Sequence, residues 1–189
     1  MESVLFVSHS EKSIDTFTDM LTSFSCDKIV TASTCGEARR LLLERDFDLC
    51  IINAPLSDES GESLSRHIST KGIGQVILIV NAVYYEDVSN AVEDYGVITV
   101  SKPINKNLFW SALKLAKAAQ NRLVAMRAEN NKLTQKIEDI RIVDRAKCIL
   151  ISYLNMSETE AHKYIEKQAM DMRITKRAVA EGLLKTYEN

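Results

Sequence analysis

Five polar side chains stand where short apolar runs end in the first part of the chain, and their positions would let them do chemistry together. They offer a hydroxyl, an imidazole, two carboxamides and an ammonium group: Ser8, His9, Asn53, Asn81 and Lys102. Ser8 and His9 suggest a nucleophile and its base, but adjacent residues on a strand point to opposite faces. No third group that would orient the histidine is evident. We therefore expect a protein that is not an enzyme.

The runs that carry these side chains have the composition of buried strands. They are short, rich in β-branched residues and nearly continuous, as strands covered on both faces are. The runs are Val4–Val7, Lys28–Thr31, Leu49–Ile52, Val76–Val80 and Val97–Val100. Helical patterns separate them, and Thr34 with Glu37 predicts the cap of the second helix. This alternation predicts an α/β fold with a five-stranded parallel sheet, whose working site lies beyond the carboxyl ends of the strands.

Length and composition exclude several classes of protein. The chain has 189 residues, of which 46% are hydrophobic and 26% charged, which argues against wholesale disorder. The longest apolar run, Val76–Val80, is far shorter than the roughly 20 residues that a membrane span needs. The first residues resemble a strand rather than a secretion signal. Four cysteines without CxxC spacing predict reduced, mostly structural thiols in the cytoplasm, with no metal and no cofactor.

The two ends of the chain differ in charge. Residues 1–120 hold 11 Lys and Arg against 16 Asp and Glu, whereas residues 141–189 hold 9 against 7. An acidic front and a mildly basic tail suggest different partners for the two ends.

A strict alternation of three and four residues follows the predicted sheet. It begins at Ala116 and Ala119 and continues through Leu123, Met126, Asn130, Leu133, Ile137 and Ile140. Such a narrow stripe is typical of a coiled-coil seam, and a lone Asn at an a position favours a parallel pair. The alternative is a single helix that packs back on the first domain. We favour a dimer seam over residues 109–140, because the stripe would otherwise need another cover.

The remaining residues, 141–189, predict three short helices. The first is expected to continue the coiled coil through Ala146, Ile149, Leu150 and Tyr153. After a turn, Ser157 and Glu160 form a capping box, and Thr175 caps the last helix. Four residues are expected in the core: Ala146, Ala161, Ala169 and Met170. So small a core gives only marginal stability by itself, and we expect a dimeric helix to increase that stability.

Residues 1–108 resemble a response-regulator receiver domain, which has a flavodoxin-like sheet. The resemblance rests on the strand order, the run Asp48 to Asn53, the later Gly61, and Ser101-Lys102-Pro103. In that family an acidic pair follows the first strand, a phospho-accepting Asp ends the third, and a Ser or Thr ends the fourth. The resemblance implies a phosphorylation site at this edge of the sheet.

The residues at those positions imply that the phosphorylation site is degenerate. Ser8 and His9 replace the acidic pair, Asn53 replaces the acceptor, Asn81 stands near the hydroxyl position, and only Lys102 matches. A carboxamide cannot form an acyl phosphate, and Ser and His supply too little negative charge to hold Mg²⁺. Asp58 and Glu11 would have to move to substitute. We expect a pseudo-receiver that supports a dimer and docks a sensor or regulator protein.

Residues 141–189 resemble an ANTAR domain, the RNA-binding antiterminator module. The matching positions are Asp144–Ile151, Leu154, Ser157–His162, Ile165, Ala169–Met170, Arg173 and Ala178. Four residues depart from the common pattern. Cys148 and Asn155 replace Gly, Ile151 replaces Met, and His162 replaces Tyr. Asn155 suits its place because Asn accepts the left-handed conformation better than most residues.

Together these resemblances imply a cytoplasmic antitermination regulator that binds paired hairpins in nascent RNA as a homodimer. Hairpin loops expose bases and phosphates, so a reader needs cations and stacking groups. The expected RNA contacts are Arg145, Lys147, His162, Lys163, Arg173, Lys176 and Arg177. Tyr153 and Tyr164 could either pack or stack on bases. The alternative is a dimeric signalling scaffold that binds no RNA.

Overall fold

The computed structural model describes residues 3–22, 26 and 28–187. Its contacts divide the chain into two units, Met1–Val124 and Ala125–Asn189. The strands are β1 Ser3–Val7, β2 Lys28–Ala32, β3 Leu49–Asn53, β4 Gln75–Asn81 and β5 Ile98–Lys102. The α-helices are α1 Glu11–Thr22, α2 Cys35–Glu44, α3 Glu62–Lys71, α4 Tyr85–Val92, α5 Lys106–Leu154, α6 Glu158–Met172 and α7 Lys176–Tyr187. No described helix is apolar over enough length to cross a lipid bilayer.

The five strands form one parallel sheet in the order β2-β1-β3-β4-β5. This confirms the predicted flavodoxin-like fold. Every residue of β3 is buried, as are six of the seven residues of β4. Their continuous apolar sequences therefore reflect helices on both faces of the sheet. The strand order reverses between β1 and β3, so the ends of these two strands define the crevice where such sheets bind ligands.

The two faces of the sheet carry separate cores. On one face, Leu5, Ile52 and Leu78 pack with residues of α2, α3 and α4 such as Ala38 and Leu64. Alternate residues of the same strands, with Phe17 of α1 and Phe109 of α5, form the core on the other face. Successive strand residues point to opposite faces, which is why neighbouring residues join different cores.

The second unit has its own core between α5, α6 and α7. It contains Ala146, Ile149, Leu150, Ala161, Ile165, Ala169, Val179, Ala180 and Leu184. Ser157 and Glu160 form the predicted capping box, and the Thr175 hydroxyl accepts a hydrogen bond from the Ala178 amide. Asn155 adopts a left-handed φ of 53°, as expected from its residue type. These contacts close the two turns that fold α6 and α7 onto α5.

Three expectations about packing are wrong. Met170 is 77% exposed, so it does not belong to the core. Ala146, Ile149 and Leu150 are buried against α6 and α7, so they do not continue a seam. Ala116, the first position of the three-and-four alternation, is fully buried in the core of the first unit. In each case the helical spacing was right, but it could not show which surface the helix face would meet.

Candidate functional site

The carboxyl edge of the sheet brings together two of the five predicted polar residues. Ser8 and Asn53 follow or end the neighbouring strands β1 and β3, and both are buried. The Asn53 Nδ2 donates a hydrogen bond of 3.0 Å to the Ser8 Oγ. The Asn53 Oδ1 is also buried and accepts no hydrogen bond from the described residues. Ser8 and Asn53 thus form a neutral hydroxyl–amide pair at this edge of the sheet.

Lys102 lies at the end of β5 and turns its ammonium group toward the same edge. Its Nζ donates to the backbone carbonyl of Ala54, the residue after Asn53. Partial burial lowers the pKa of this ammonium. Among the described residues, Lys102 is thus engaged with a backbone carbonyl and not with a carboxylate.

His9 and Asn81 do not join this group. His9 is exposed, whereas Ser8 beside it is fully buried, and both residues follow the end of β1 at Val7. Asn81 is exposed, and its side-chain oxygen accepts a hydrogen bond of 3.1 Å from the Val83 amide. It therefore caps the short 3-10 turn Ala82–Tyr84 before α4.

Asp58, the loop carboxylate that could have replaced a missing metal ligand, is engaged elsewhere. Its two oxygens accept hydrogen bonds from the amides of Cys35 and Gly36, at 3.0 and 2.9 Å, at the start of α2. These bonds lower the pKa of Asp58. Glu59 beside it pairs with both terminal nitrogens of Arg39. Both acids thus stabilise the first unit rather than the edge at Asn53.

In the second unit, three predicted RNA contacts form ion pairs within the unit. Lys147 lies 2.8 Å from Asp144 and 2.9 Å from Glu158, and its side chain is only 16% exposed. Hydrogen bonds to these two carboxylates raise the pKa of Lys147. This lysine joins α5 to α6 electrostatically, a role that the sequence alone did not suggest.

Lys176 and Arg177, at the start of α7, are similarly paired. Lys176 contacts Glu166 of α6, which also lies 3.4 Å from His162. Arg177 pairs with Asp139 at 2.8 Å and with Glu181 at 2.7 Å. The first of these pairs connects α7 to α5. Phosphate contacts by these cations would have to compete with carboxylates already in place.

Arg145, Lys163 and Arg173 complete the predicted set, and all three are exposed. Arg173 ends α6 in a left-handed conformation, with a φ of 54°. Arg145 lies on α5 in a shallow concave surface that also includes Arg141 and Tyr153. Sequence reasoning did not select Arg141, although its spacing of four residues from Arg145 places both on one face of a helix.

The predicted dimerisation residues are exposed in the single chain. Asn130 is exposed, and the apolar members are between 38% and 59% exposed: Leu123, Met126, Leu133, Ile137 and Ile140. The structure thus contains an uncovered apolar stripe on α5.

The amino-acid sequence matches known proteins in both units. Residues 131–184 match the ANTAR domain family. The transcriptional regulatory protein PdtaR of Mycobacterium tuberculosis is 29% identical over 140 residues, which cover 74% of this chain and 68% of PdtaR. The similarity therefore extends beyond the ANTAR segment into the first unit.

Solved receiver domains share the fold of the first unit. The signal receiver domain of an HD domain-containing protein from Pseudomonas fluorescens aligns with a TM-score of 0.59 and 21% identity, over 66% of this chain and 92% of that one. A CheY-like receiver domain protein from Methanospirillum hungatei gives 0.57 and 18%, over 65% and 98%. At these identities the likeness shows the fold alone. The ANTAR match, the similarity to PdtaR and the receiver fold of the first unit together support an ANTAR-type response regulator.

Replacing Asn53 with Asp should not create a phosphorylatable protein. The variant gains a carboxylate, but Ser8 and His9 still provide no negative charge to hold Mg²⁺. We expect no acyl phosphate by mass spectrometry after incubation with acetyl phosphate and Mg²⁺. The triple variant Ser8→Asp/His9→Asp/Asn53→Asp is the matched comparison. Phosphorylation of the single variant would contradict this account of the site.

Asp58→Ala should lower the free energy of unfolding by about 0.5 kcal/mol at neutral pH, because an exposed carboxylate at a helix N-terminus is screened by solvent. The folded-state pKa of Asp58 is depressed, so its stabilisation is present above the unfolded pKa of about 3.9. It is lost as the pH falls through the folded value. Urea unfolding of both proteins at several pH values should show the difference shrinking in acid. A difference independent of pH would contradict the role of the charge.

Proposed function

We propose that this ANTAR-type response regulator is a transcription antitermination regulator that binds paired hairpins in nascent RNA as a homodimer, in the cytoplasm. The observation that carries the proposal is the ANTAR match over residues 131–184, which coincides with a separately packed three-helix core. This unit presents cations on its surface, as hairpin recognition requires. We propose no catalytic role for this unit.

The proposal assigns dimerisation to the stripe from Leu123 to Ile140. These apolar residues are exposed along α5 and follow the spacing of a coiled-coil seam. Pairing two such helices would cover the stripe and join two RNA-binding units. Each unit would then bind one hairpin, and the second binding event would gain from the effective concentration set by the first.

We propose that a partner protein docks on the first unit and thereby controls the regulator. The buried Ser8–Asn53 pair leaves this receiver fold without an acceptor carboxylate. Control by aspartyl phosphorylation would need both an acceptor and a metal site. A sensor or regulator protein that favours or blocks dimerisation would not require this chemistry.

Gel-shift titration with a pool of RNA hairpins of randomised loop sequence tests RNA binding directly. We expect a bound fraction whose affinity decreases as salt increases, because phosphate contacts release counterions. If the dimer forms but no RNA of the pool binds at low ionic strength, the chain is instead a dimeric signalling scaffold, and the proposed function is wrong.

Leu133→Asp/Ile137→Asp should convert the dimer to monomers, because the two substitutions bury carboxylates in the seam. Ala128→Asp/Asn131→Asp adds the same charges to exposed positions of the same helix outside the stripe. Sedimentation equilibrium should show monomers for the first variant and dimers for the second. Equal masses for the two variants would refute the assigned seam.

A further inference from the structure

A concave face on the carboxyl-terminal part of α5 has the chemistry to hold an unstacked nucleotide. Its cavity has a volume of about 550 Å³, and Arg141, Arg145, Ser152 and Tyr153 are among its lining residues. Spacings of four and seven residues place Arg141, Arg145 and Ser152 along one side of the helix, and Tyr153 follows Ser152. The face lies within the second unit, and Ile149 of the core between α5, α6 and α7 forms part of its lining.

Tyr153 provides a stacking surface on this face. Its side chain is 64% exposed, although its ring centroid lies 5.4 Å from that of Tyr187. The tilt of 42° between the two rings supports Tyr153 from one side without burying it. Exposed aromatic rings of this kind stack on single-stranded bases of any sequence.

The charges of the same face favour phosphate. Asp144 is its only acid among the lining residues, and Lys147 lies 2.8 Å from that carboxylate and offsets its charge. The guanidinium groups of Arg141 and Arg145 then give the face a net positive charge. Arginine forks bind phosphate with two parallel hydrogen bonds. Lys147 thus acts as a positioning residue, whereas sequence reasoning made it an RNA contact.

We propose that the α5 face is the site for an RNA loop nucleotide, with its base on Tyr153 and its flanking phosphates on Arg141 and Arg145. This inference rests on the proposed function and locates the RNA contact within it.

The position of the face fits a dimer. In the register with Asn130 at an a position, Arg145 and Ser152 would be at b positions, Arg141 at an e position and Asp144 at an a position. A seam that ends at Ile140 would leave the face open on each copy. A dimer would therefore carry two such sites.

Two sets of variants test the site, using the full chain and the same randomised hairpin pool. Tyr153→Ala should weaken binding about tenfold through loss of stacking, and Tyr153→Phe should bind like the wild type because it keeps the ring. Arg141→Gln/Arg145→Gln should weaken binding and reduce the slope of log affinity against log salt by about 0.7 for each lost phosphate contact. Lys132→Gln/Lys167→Gln removes the same charge elsewhere and should change affinity far less.

The outcomes separate this inference from the proposed function. If the wild-type chain binds none of the hairpins, the proposed function and the inference both fail. If the wild type binds while Tyr153→Ala and Arg141→Gln/Arg145→Gln bind equally well, only the α5 site is overturned. Circular dichroism and sedimentation of each variant establish that helix content and dimer are retained.

Discussion

The structure depends on how one helix distributes its apolar side chains. Over 49 residues, α5 contributes Phe109 and Leu113 to the core of the first unit and Leu150 to the core of the second. Between these positions the apolar stripe from Leu123 to Ile140 is exposed. A three-helix core of this size stabilises itself only marginally, so the second unit depends on a well-ordered α5. In the proposed function, pairing of α5 would therefore control RNA binding.

Charge placement divides the cations of the second unit into two groups. Lys147, Lys176 and Arg177 connect helices of the unit through Glu158, Glu166 and Asp139. Solvent screens these exposed carboxylates, so each pair is weak alone, but together the pairs matter in a unit with few buried side chains. Arg141 and Arg145 line the concave face of α5 that also contains Tyr153. The sequence presents all of these residues as equivalent positive charges, but the fold gives them different tasks.

Local sequence signals predicted much of the fold, because all the residues that determine each such feature lie within a few positions of one another. The β-branched runs became strands, Ser157 and Glu160 formed their capping box, and Asn155 adopted the left-handed conformation. Features that depend on which surfaces meet could not be predicted in this way. Met170 has a core-like residue type and helical spacing, yet it is exposed, and Lys147 finds Glu158 eleven residues away on another helix. The absence of an acceptor carboxylate at Asn53 could be inferred from sequence, because the inference needed only the residue type at the end of a strand.

The central claim is that two linked ANTAR units bind two hairpins at once. Its most direct test compares one RNA that carries two hairpins in tandem with the same hairpins supplied separately, in titrations followed by sedimentation velocity. The account predicts one dimer per tandem RNA and an affinity about a hundredfold higher than for either single hairpin. Equal affinities for tandem and single hairpins, or one chain bound per tandem RNA, would contradict it.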